Sequence, residues 1–404
     1  MMKLLLVLEH RFFATPGNEI VYCERNIDYS FFKRYLKVFD ELIVCARTVD
    51  VDKNYQGNLI ASGQNVKFLK LPNSRGGREI AKKNIEYKKI VKKYIQEIDA
   101  VILRAPTPIS LAVFDVIKKS KKALAVEFVI NPRTLFSNEN GKNITNKLLQ
   151  YLFVKHAKEM CWYANGVSYV TDHILQKEYP CKAIKNGESE KYFTASYSTI
   201  DLPLDKYTGL HEFHTKDEPV IICHTGYMEG DSKGHKIAMD VVKKGIEEGL
   251  NIRLKFLGTG SKESEFKKYA QFLKIEEYVI FMGQLYGYEA IQKELINSDI
   301  FLFPTSAEGL PRSLIEAMAN GLACISTPVD GIKELLPEKY LVMRKDINRM
   351  VKILSGLVNN VEERRSAAEE NYNVALRYEY TLLDERRTAF YSQLYSLANK
   401  IKRV

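Results

Sequence analysis

Short apolar runs recur along this chain, separated by stretches in which apolar residues return every three or four positions. The runs at residues 3–8, 41–46, 66–71, 100–103, 123–130, 166–170 and 183–185 read as strands. A second series follows at 220–225, 252–257, 279–281, 300–303, 324–326 and 340–342. Between them the spacing predicts helices over 80–98, 143–160, 236–249, 263–273 and 286–297. Strand and helix alternating in this way give parallel sheets covered on both faces, and two such series give two doubly wound domains. The break falls at 196–218, a Ser/Thr/Tyr-rich stretch with neither period, so residues 1–195 form the expected first domain and 219–380 the second. The final segment, 381–404, carries Phe390, Leu394, Leu397, Ala398 and Ile401 at helical spacing and needs a surface to pack against.

Length agrees with this division, since 404 residues suit two domains of roughly 150–200 each. No apolar run approaches the roughly 20 residues that span a bilayer. The run at 4–8 meets Glu9, His10 and Arg11 at once, too soon for a secretory signal, and reads as a buried first strand. The six cysteines are scattered without a CxxC pair, which argues against a disulfide framework or structural zinc and for a reducing cytoplasm.

Charge is distributed unevenly. Residues 1–195 hold 32 Lys and Arg against 20 Asp and Glu, whereas the remainder holds 28 against 30. The densest part lies between Arg78 and Asp99, where Lys82, Lys83, Lys88, Lys89, Lys92 and Lys93 alternate with apolar Ala81, Ile85, Val91, Tyr94, Ile95 and Ile98. Lys118, Lys119, Lys121 and Lys122 form a second cluster. Each reads either as a solvated face or as a site of attachment to anionic lipid headgroups. No RRM, KH or zinc-finger pattern points to nucleic acid.

The chemistry concentrates between Ile300 and Gly321. An apolar strand enters a loop that holds Glu308, Gly309 and Leu310, and Pro311 stands where a helix starts, at a position whose missing N–H costs nothing. The free N–H groups near Arg312 and Ser313 face any anion lying there. Glu316 follows about 7.5 Å further along the axis, a separation that suits a nucleotide diphosphate with its ribose beside Glu316; on spacing alone the stretch reads equally as a well-capped surface helix with two incidental glutamates.

Glu308-x7-Glu316 with its flanks resembles the signature of retaining glycosyltransferases of family 4, which have the GT-B fold. Other motifs follow in the family's order: Gly226, Lys233-Gly234, Phe256-Leu257-Gly258-Thr259-Gly260, Val279-Ile280-Phe281-Met282-Gly283 and, earlier, Val170-Thr171 and Asn186-Gly187 with Phe193. The resemblance covers residues 165–340 by motif and the first 160 by architecture. It implies two Rossmann-like domains facing across a cleft, with the C-terminal helix crossing back to the first. The donor would sit on the second domain and the acceptor on the first. By position Glu316 would hold the donor ribose, Glu308 the hydroxyls of the transferred sugar, and Lys233 with the backbone at Arg312 and Ser313 the diphosphate. Gly226, Gly258 and Gly283 would line the donor, and front-face attack would let the leaving phosphate take the acceptor proton.

Three departures stand out. Tyr227 occupies the place of the family's phosphate-binding arginine, and Arg312 is expected to supply that charge. The glycine loop after the first strand is replaced by His10 and Arg11, and Glu127 lies nearest the usual N-domain histidine; all three are expected on the acceptor side. The Asp50-x-Asp52 triplet has the form of a metal motif but is short enough to arise by chance and sits in a polar loop, and the His211/His214 pair lacks a third ligand. His224, inside an apolar run, reads as a core or cleft histidine rather than a catalyst. The expected activity is transfer of a hexose-type sugar from a nucleotide diphosphate, UDP favoured, without a metal or other cofactor. The acceptor would be a saccharide or lipid-linked saccharide for a surface polysaccharide, at the inner face of the plasma membrane. A nucleotide-sugar epimerase of the same fold and a non-catalytic nucleotide-sugar-binding scaffold are the alternatives.

Overall fold

The computed structural model describes residues 1–24, 27–135, 144–214 and 218–403. The chain divides into two compact units, one of Met1–Tyr197 with Leu383–Val404 and one of Ser198–Leu382.

The first unit is built on nine strands: β1 (Lys3–Ala14), β2 (Val21–Cys23), β3 (Glu41–Asp50), β4 (Leu59–Ile60), β5 (Val66–Pro72), β6 (Ala100–Ala105), β7 (Ala123–Phe128), β8 (Gly166–Tyr169) and β9 (Phe193–Ser196). Its parallel body runs β5-β3-β1-β6-β7-β8-β9. Leu4, Leu5, Leu6 and Val7 are wholly buried between β3 and β6, which is why the leading apolar run is a strand. The register slips between Val7 and Arg11, and the far half of β1 continues beyond β6 to pair antiparallel with β2, which pairs in turn with β4. The sheet is therefore mixed, where the alternation predicts a purely parallel one.

Three further expectations are corrected. Residues 183–185 lie inside a helix, Lys182–Asn186, and the edge of the sheet is taken by β9, whose half-exposed Thr194 and Ser196 disguise it as loop. Residues 340–342 make a single bridge, Ser326 to Leu341, after a 3-10 turn rather than a strand. The basic helix, Gly76–Tyr94, buries Ile80, Tyr87 and Val91, leaving Ile85 and Tyr94 exposed although the pattern assigns them to its apolar side.

The last helix, Tyr380–Arg403, belongs to the first unit from Leu383 onward. Phe390 packs on Phe193 at 5.2 Å, and Tyr391 stacks on Tyr35 at 4.9 Å. Beneath them lies Glu127 of β7, 3% exposed. It accepts from the Tyr391 hydroxyl at 2.5 Å, and from the Tyr35 hydroxyl and Arg104 Nη1 at 3.0 Å each. Burial, and next the Glu127 charge, push the Tyr35 phenol up to about 12 and the Tyr391 phenol well above its ordinary value. Both Glu127 oxygens are thus taken, and the residue expected on the acceptor side is a buried fastener for the final helix.

The second unit holds five parallel strands, β10 (Val220–Thr225), β11 (Ile252–Leu257), β12 (Val279–Phe281), β13 (Ile300–Phe303) and β14 (Ala323–Ser326), in the order β12-β11-β10-β13-β14. Ile222, Leu254, Phe256, Ile300 and Leu302 form its core with Ala238, Val241 and Val242 of the helix His235–Glu247.

The stretch expected as a linker is instead secured to this unit. Asp299, fully buried, accepts from the backbone N–H of His214 (2.8 Å) and of Ile221 (2.7 Å), and its second oxygen also meets His214 Nδ1 at 2.8 Å. His211 Nε2 meets the Ser298 carbonyl at 2.8 Å, and the Tyr207 hydroxyl donates to the Ala375 carbonyl at 3.0 Å. These bonds hold one ring nitrogen of each histidine within the second unit; residues 215–217 lie outside the described residues.

Removing one partner of a buried ion pair leaves its charge unmatched. Glu127→Ala is expected to destabilise the first unit by about 3–5 kcal/mol, and Tyr391→Phe, which removes one bond to a charged acceptor, by about 1.5–3 kcal/mol. Urea titrations read through Trp162 fluorescence check both.

Candidate functional site

The chain enters the second sheet at β10, builds β11 and β12 to one side, then crosses to place β13 on the other. The loops that follow β10 and β13 therefore part, and a crevice opens at the carboxyl ends of these strands. Almost every residue singled out in the second half of the sequence lies on those loops or on the glycine turns beside them.

The two loops are sewn together. Ser306 N donates to the Ser232 carbonyl at 2.8 Å, and the Thr305 hydroxyl reaches the same oxygen at 3.1 Å. Arg344 bridges from outside, donating through Nε to the Pro304 carbonyl at 3.0 Å and through Nη2 to the Asp231 carbonyl. Gly234 has φ +83°, and a Cβ there would stand 2.2 Å from the Pro304 carbonyl oxygen. Only glycine permits this approach. It brings Lys233 Nζ into an ion pair with Glu308 Oε1, which also accepts from the Thr305 hydroxyl at 3.2 Å. The two side chains are 29% and 12% exposed, accessible enough to exchange partners.

The glycine turns after β10, β11 and β12 pack against one another. Gly226 N donates to Leu257 O at 3.0 Å, and Gly258 N to Gly283 O at 2.9 Å. At Gly258 φ is +131°, and a Cβ would come within 2.4 Å of the Gly226 carbonyl oxygen. These three glycines are thus assembled in one place, with Tyr227 beside them and 37% exposed.

After β13 the helix Arg312–Ala319 begins at an extended Pro311, and no side chain caps it. Its first N–H groups and partial positive charge are left for an anion. Arg312 is exposed and Ser313 half-buried; Leu310 is buried, and the Gly309 carbonyl accepts from Gly331 N at 3.0 Å. Glu316, half-buried, receives no side-chain hydrogen bond from any described residue. Burial raises its carboxyl above the usual carboxylate range, against the pull of the Arg312 guanidinium.

His224 and His235 stand behind this face with ring centroids 4.6 Å apart, and His224 Nδ1 donates to the Leu302 carbonyl at 2.8 Å. Burial holds His235 down at about 4 and His224 well below its ordinary value. His224 is a neutral core histidine.

The first unit carries the acceptor-side expectations. His10 lies at the register slip in β1 with its ring 4.7 Å from Phe12. Burial first, then the charges of Arg47 and Arg11, push it down to about 4. The Arg11 guanidinium lies 5.8 Å from the Phe13 ring centroid. The sequence reading missed Glu9 and Arg47, which pair at 2.6 Å. Glu9 also accepts from Ile109 N at 3.2 Å, and burial raises its carboxyl despite both partners. Thr305 and Arg344 were missed as well; a hydroxyl three residues before Glu308 was the available signal. Asp50 of the Asp-x-Asp triplet pairs with Lys70 at 2.6 Å. Among the described residues no group of three or more His, Cys, Asp and Glu stands where a metal ion could be held, and no helix is long and apolar enough to cross a membrane.

Residues 210–374 match the family model described as Glycosyl transferases group 1. This unit is a group 1 glycosyltransferase domain. Over 355 residues the chain is 25% identical to Protein CapJ of Staphylococcus aureus, covering 87% of this chain and 85% of that one. It is also 25% identical over 206 residues to the lipopolysaccharide 1,6-galactosyltransferase of Salmonella typhimurium, spanning 48% of this chain and 54% of the enzyme. Among solved structures, Anabaena HepE in complex with UDP and glucose covers the whole of both chains with a TM-score of 0.61 at 13% identity. The fold is GT-B.

Because the group 1 domain relies on glycine at two loop contacts, Gly234→Ala is expected to cost about 1–2 kcal/mol for the left-handed backbone alone, with the Pro304 clash added. Scanning calorimetry should show one transition lowered, and the Lys233–Glu308 pair displaced in a crystal structure of the variant.

Proposed function

We propose that this protein is a retaining glycosyltransferase that takes a hexose-type sugar from a UDP-sugar and places it on a saccharide or lipid-linked saccharide acceptor for a surface polysaccharide. The observation that carries the reading is the Lys233–Glu308 pair, which joins the two loops at the switch point beside an uncapped helix N-terminus and a Glu316 that receives no side-chain hydrogen bond from any described residue. The ammonium and carboxylate satisfy each other in this pair, which half-buried charges require. A donor offers each a better partner: phosphate oxygens to Lys233, and sugar hydroxyls to Glu308.

The chemistry then follows from charge. As the bond from sugar to phosphate breaks, negative charge grows on the diphosphate, and Lys233, Arg312 and the N–H groups at Arg312 and Ser313 meet it. In this reading those groups do the work that a divalent cation does elsewhere, and Arg312 answers for Tyr227. Glu316 accepts from the ribose hydroxyls. The leaving phosphate, still held, takes the proton of the acceptor hydroxyl that attacks on the same face, so no side-chain nucleophile is needed. The names of relatives and neighbours support the substrate classes: a lipopolysaccharide galactosyltransferase, and a structure holding UDP and glucose.

Calorimetry with UDP, GDP and ADP tests the reading. UDP is expected to bind, and Glu316→Ala to weaken it about 10–100-fold, the worth of hydrogen bonds to a charged acceptor. Arg312→Ala with full affinity beside a dead Lys233→Ala would remove Arg312 from its role, and no binding of any nucleotide would overturn the assignment.

The Glu316 shift adds a pH signature. Its carboxyl holds its proton to higher pH than the ordinary value near about 4.3, and the neutral form is the weaker acceptor. UDP affinity should therefore fall as pH drops, starting above the usual carboxylate range, and Glu316→Gln should flatten the profile.

A further inference from the structure

The helix Ile144–Tyr163 of the first unit is apolar on two opposite sides. One side is accounted for, with Ala157, Met160 and Cys161 buried. On the other, Leu148 is 57% exposed, Tyr151 64%, Leu152 38% and Trp162 47%. Tyr151 and Leu152 follow Leu148 by three and four residues and Trp162 follows it by fourteen, near four whole turns, so these share one outward face. Between them stand exposed Lys155 and Lys158, with Lys147 on the neighbouring edge. The single acid of the helix, Glu159, is occupied by Lys118 at 2.9 Å. Among the described residues of the helix the face therefore presents large apolar and aromatic groups, positive charge, and no free carboxylate.

We propose that this face docks the first unit on an anionic bilayer, with the leucines and rings in the headgroup layer and the lysines against lipid phosphates. On this face Leu148, Tyr151, Leu152 and Trp162 can enter the headgroup layer while the lysines among them extend their ammonium groups to lipid phosphates, and Trp and Tyr favour the depth at which one end of the ring is apolar and the other wet. Charge selects the occupant. A second copy of this chain, meeting the face by twofold symmetry, would bring the lysines of both copies into one interface with no free carboxylate of the helix to offset them. An anionic surface attracts all three lysines at once.

The charge-dense segments of the sequence are weaker candidates. Lys118 is taken by Glu159, Lys88 pairs with Asp115 at 3.4 Å, and Lys83 donates to the Asn73 carbonyl at 2.5 Å. Those segments also lack a comparable cluster of exposed large apolar groups; Ile85 and Tyr94 stand apart. The docking face concerns a different unit from the donor residues and does not rest on the transfer reaction.

Trp162 is the only tryptophan in the chain, so the protein carries its own reporter. The full chain is mixed with vesicles of phosphatidylcholine alone or with about 30% phosphatidylglycerol, an anionic lipid. Trp162 emission should shift to the blue, and the protein should sediment, with the anionic vesicles only; both effects should weaken as salt is raised. Leu148→Glu with Leu152→Glu should reduce partitioning about tenfold or more, and Lys155→Glu with Lys158→Glu should abolish the preference for anionic lipid, while UDP calorimetry of both variants matches the wild type. Unchanged emission and a protein left in the supernatant with both vesicles overturn the proposal. So does a concentration-dependent dimer on sizing that Leu148→Glu with Leu152→Glu dissolves, an outcome that gives the face to a second copy. Failure of UDP to bind would leave the vesicle result standing.

Discussion

Parallel strands cannot be joined by a tight turn, and a sheet that grows from its middle strand must at some point reverse direction. In the second unit that reversal falls between the paired strands β10 and β13, and nearly everything chemical about the unit follows from it. Two loops leave neighbouring strands in different directions, so backbone ends and a helix start face open space. Loops so placed would drift unless tied. Here Thr305, Ser306 and Arg344 tie them through backbone carbonyls, and Gly234 permits the contact by having no side chain. Lys233 and Glu308 are the groups this stitching holds at the mouth of the crevice.

Buried charge does a different job elsewhere. Glu127 and Asp299 each lie in the interior, each accept several hydrogen bonds, and each collect donors from segments distant in sequence. Arg364, also fully buried, donates to the carbonyls of Leu357 and His214. Such groups add less to stability than apolar residues of the same volume would, but a fold that leaves one unsatisfied is heavily disfavoured. They select one arrangement of helix on sheet from the several that hydrophobic packing alone would allow.

The second unit was legible because its strands are short apolar runs cut off by glycine: Ile222 to Gly226, Phe256 to Gly258 and Phe281 to Gly283 each show strand and turn together. The donor-side residues were legible for the same reason, since spacing along one strand, loop and helix is local. What stayed hidden depends on partners far along the chain. Nothing around Glu127 announces Tyr35 or Tyr391, and nothing in the polar stretch before Val220 announces Asp299. Strand β9 was missed because an edge strand can carry Thr and Ser on a half-wet face, and Ile85 was misplaced because a lysine-rich helix offers two nearly equivalent apolar registers. The outward face of Ile144–Tyr163 was invisible in principle, since a helix apolar on two opposite sides does not reveal which of them is buried until its neighbours are known.

The bond from Tyr391 to Glu127 spans 264 residues of chain. A ribosome adding about 5–20 residues per second takes roughly 10–50 s to cover that distance. For that time β7 exists without the hydroxyl that caps its carboxylate, while the whole of the second unit is made. The first unit to be synthesised is therefore the last to be completed, and it waits with a charged interior site half-served and the aromatic faces of Tyr35 and Phe193 uncovered. Apolar surface exposed in this transient way is the kind that promotes aggregation of nascent chains.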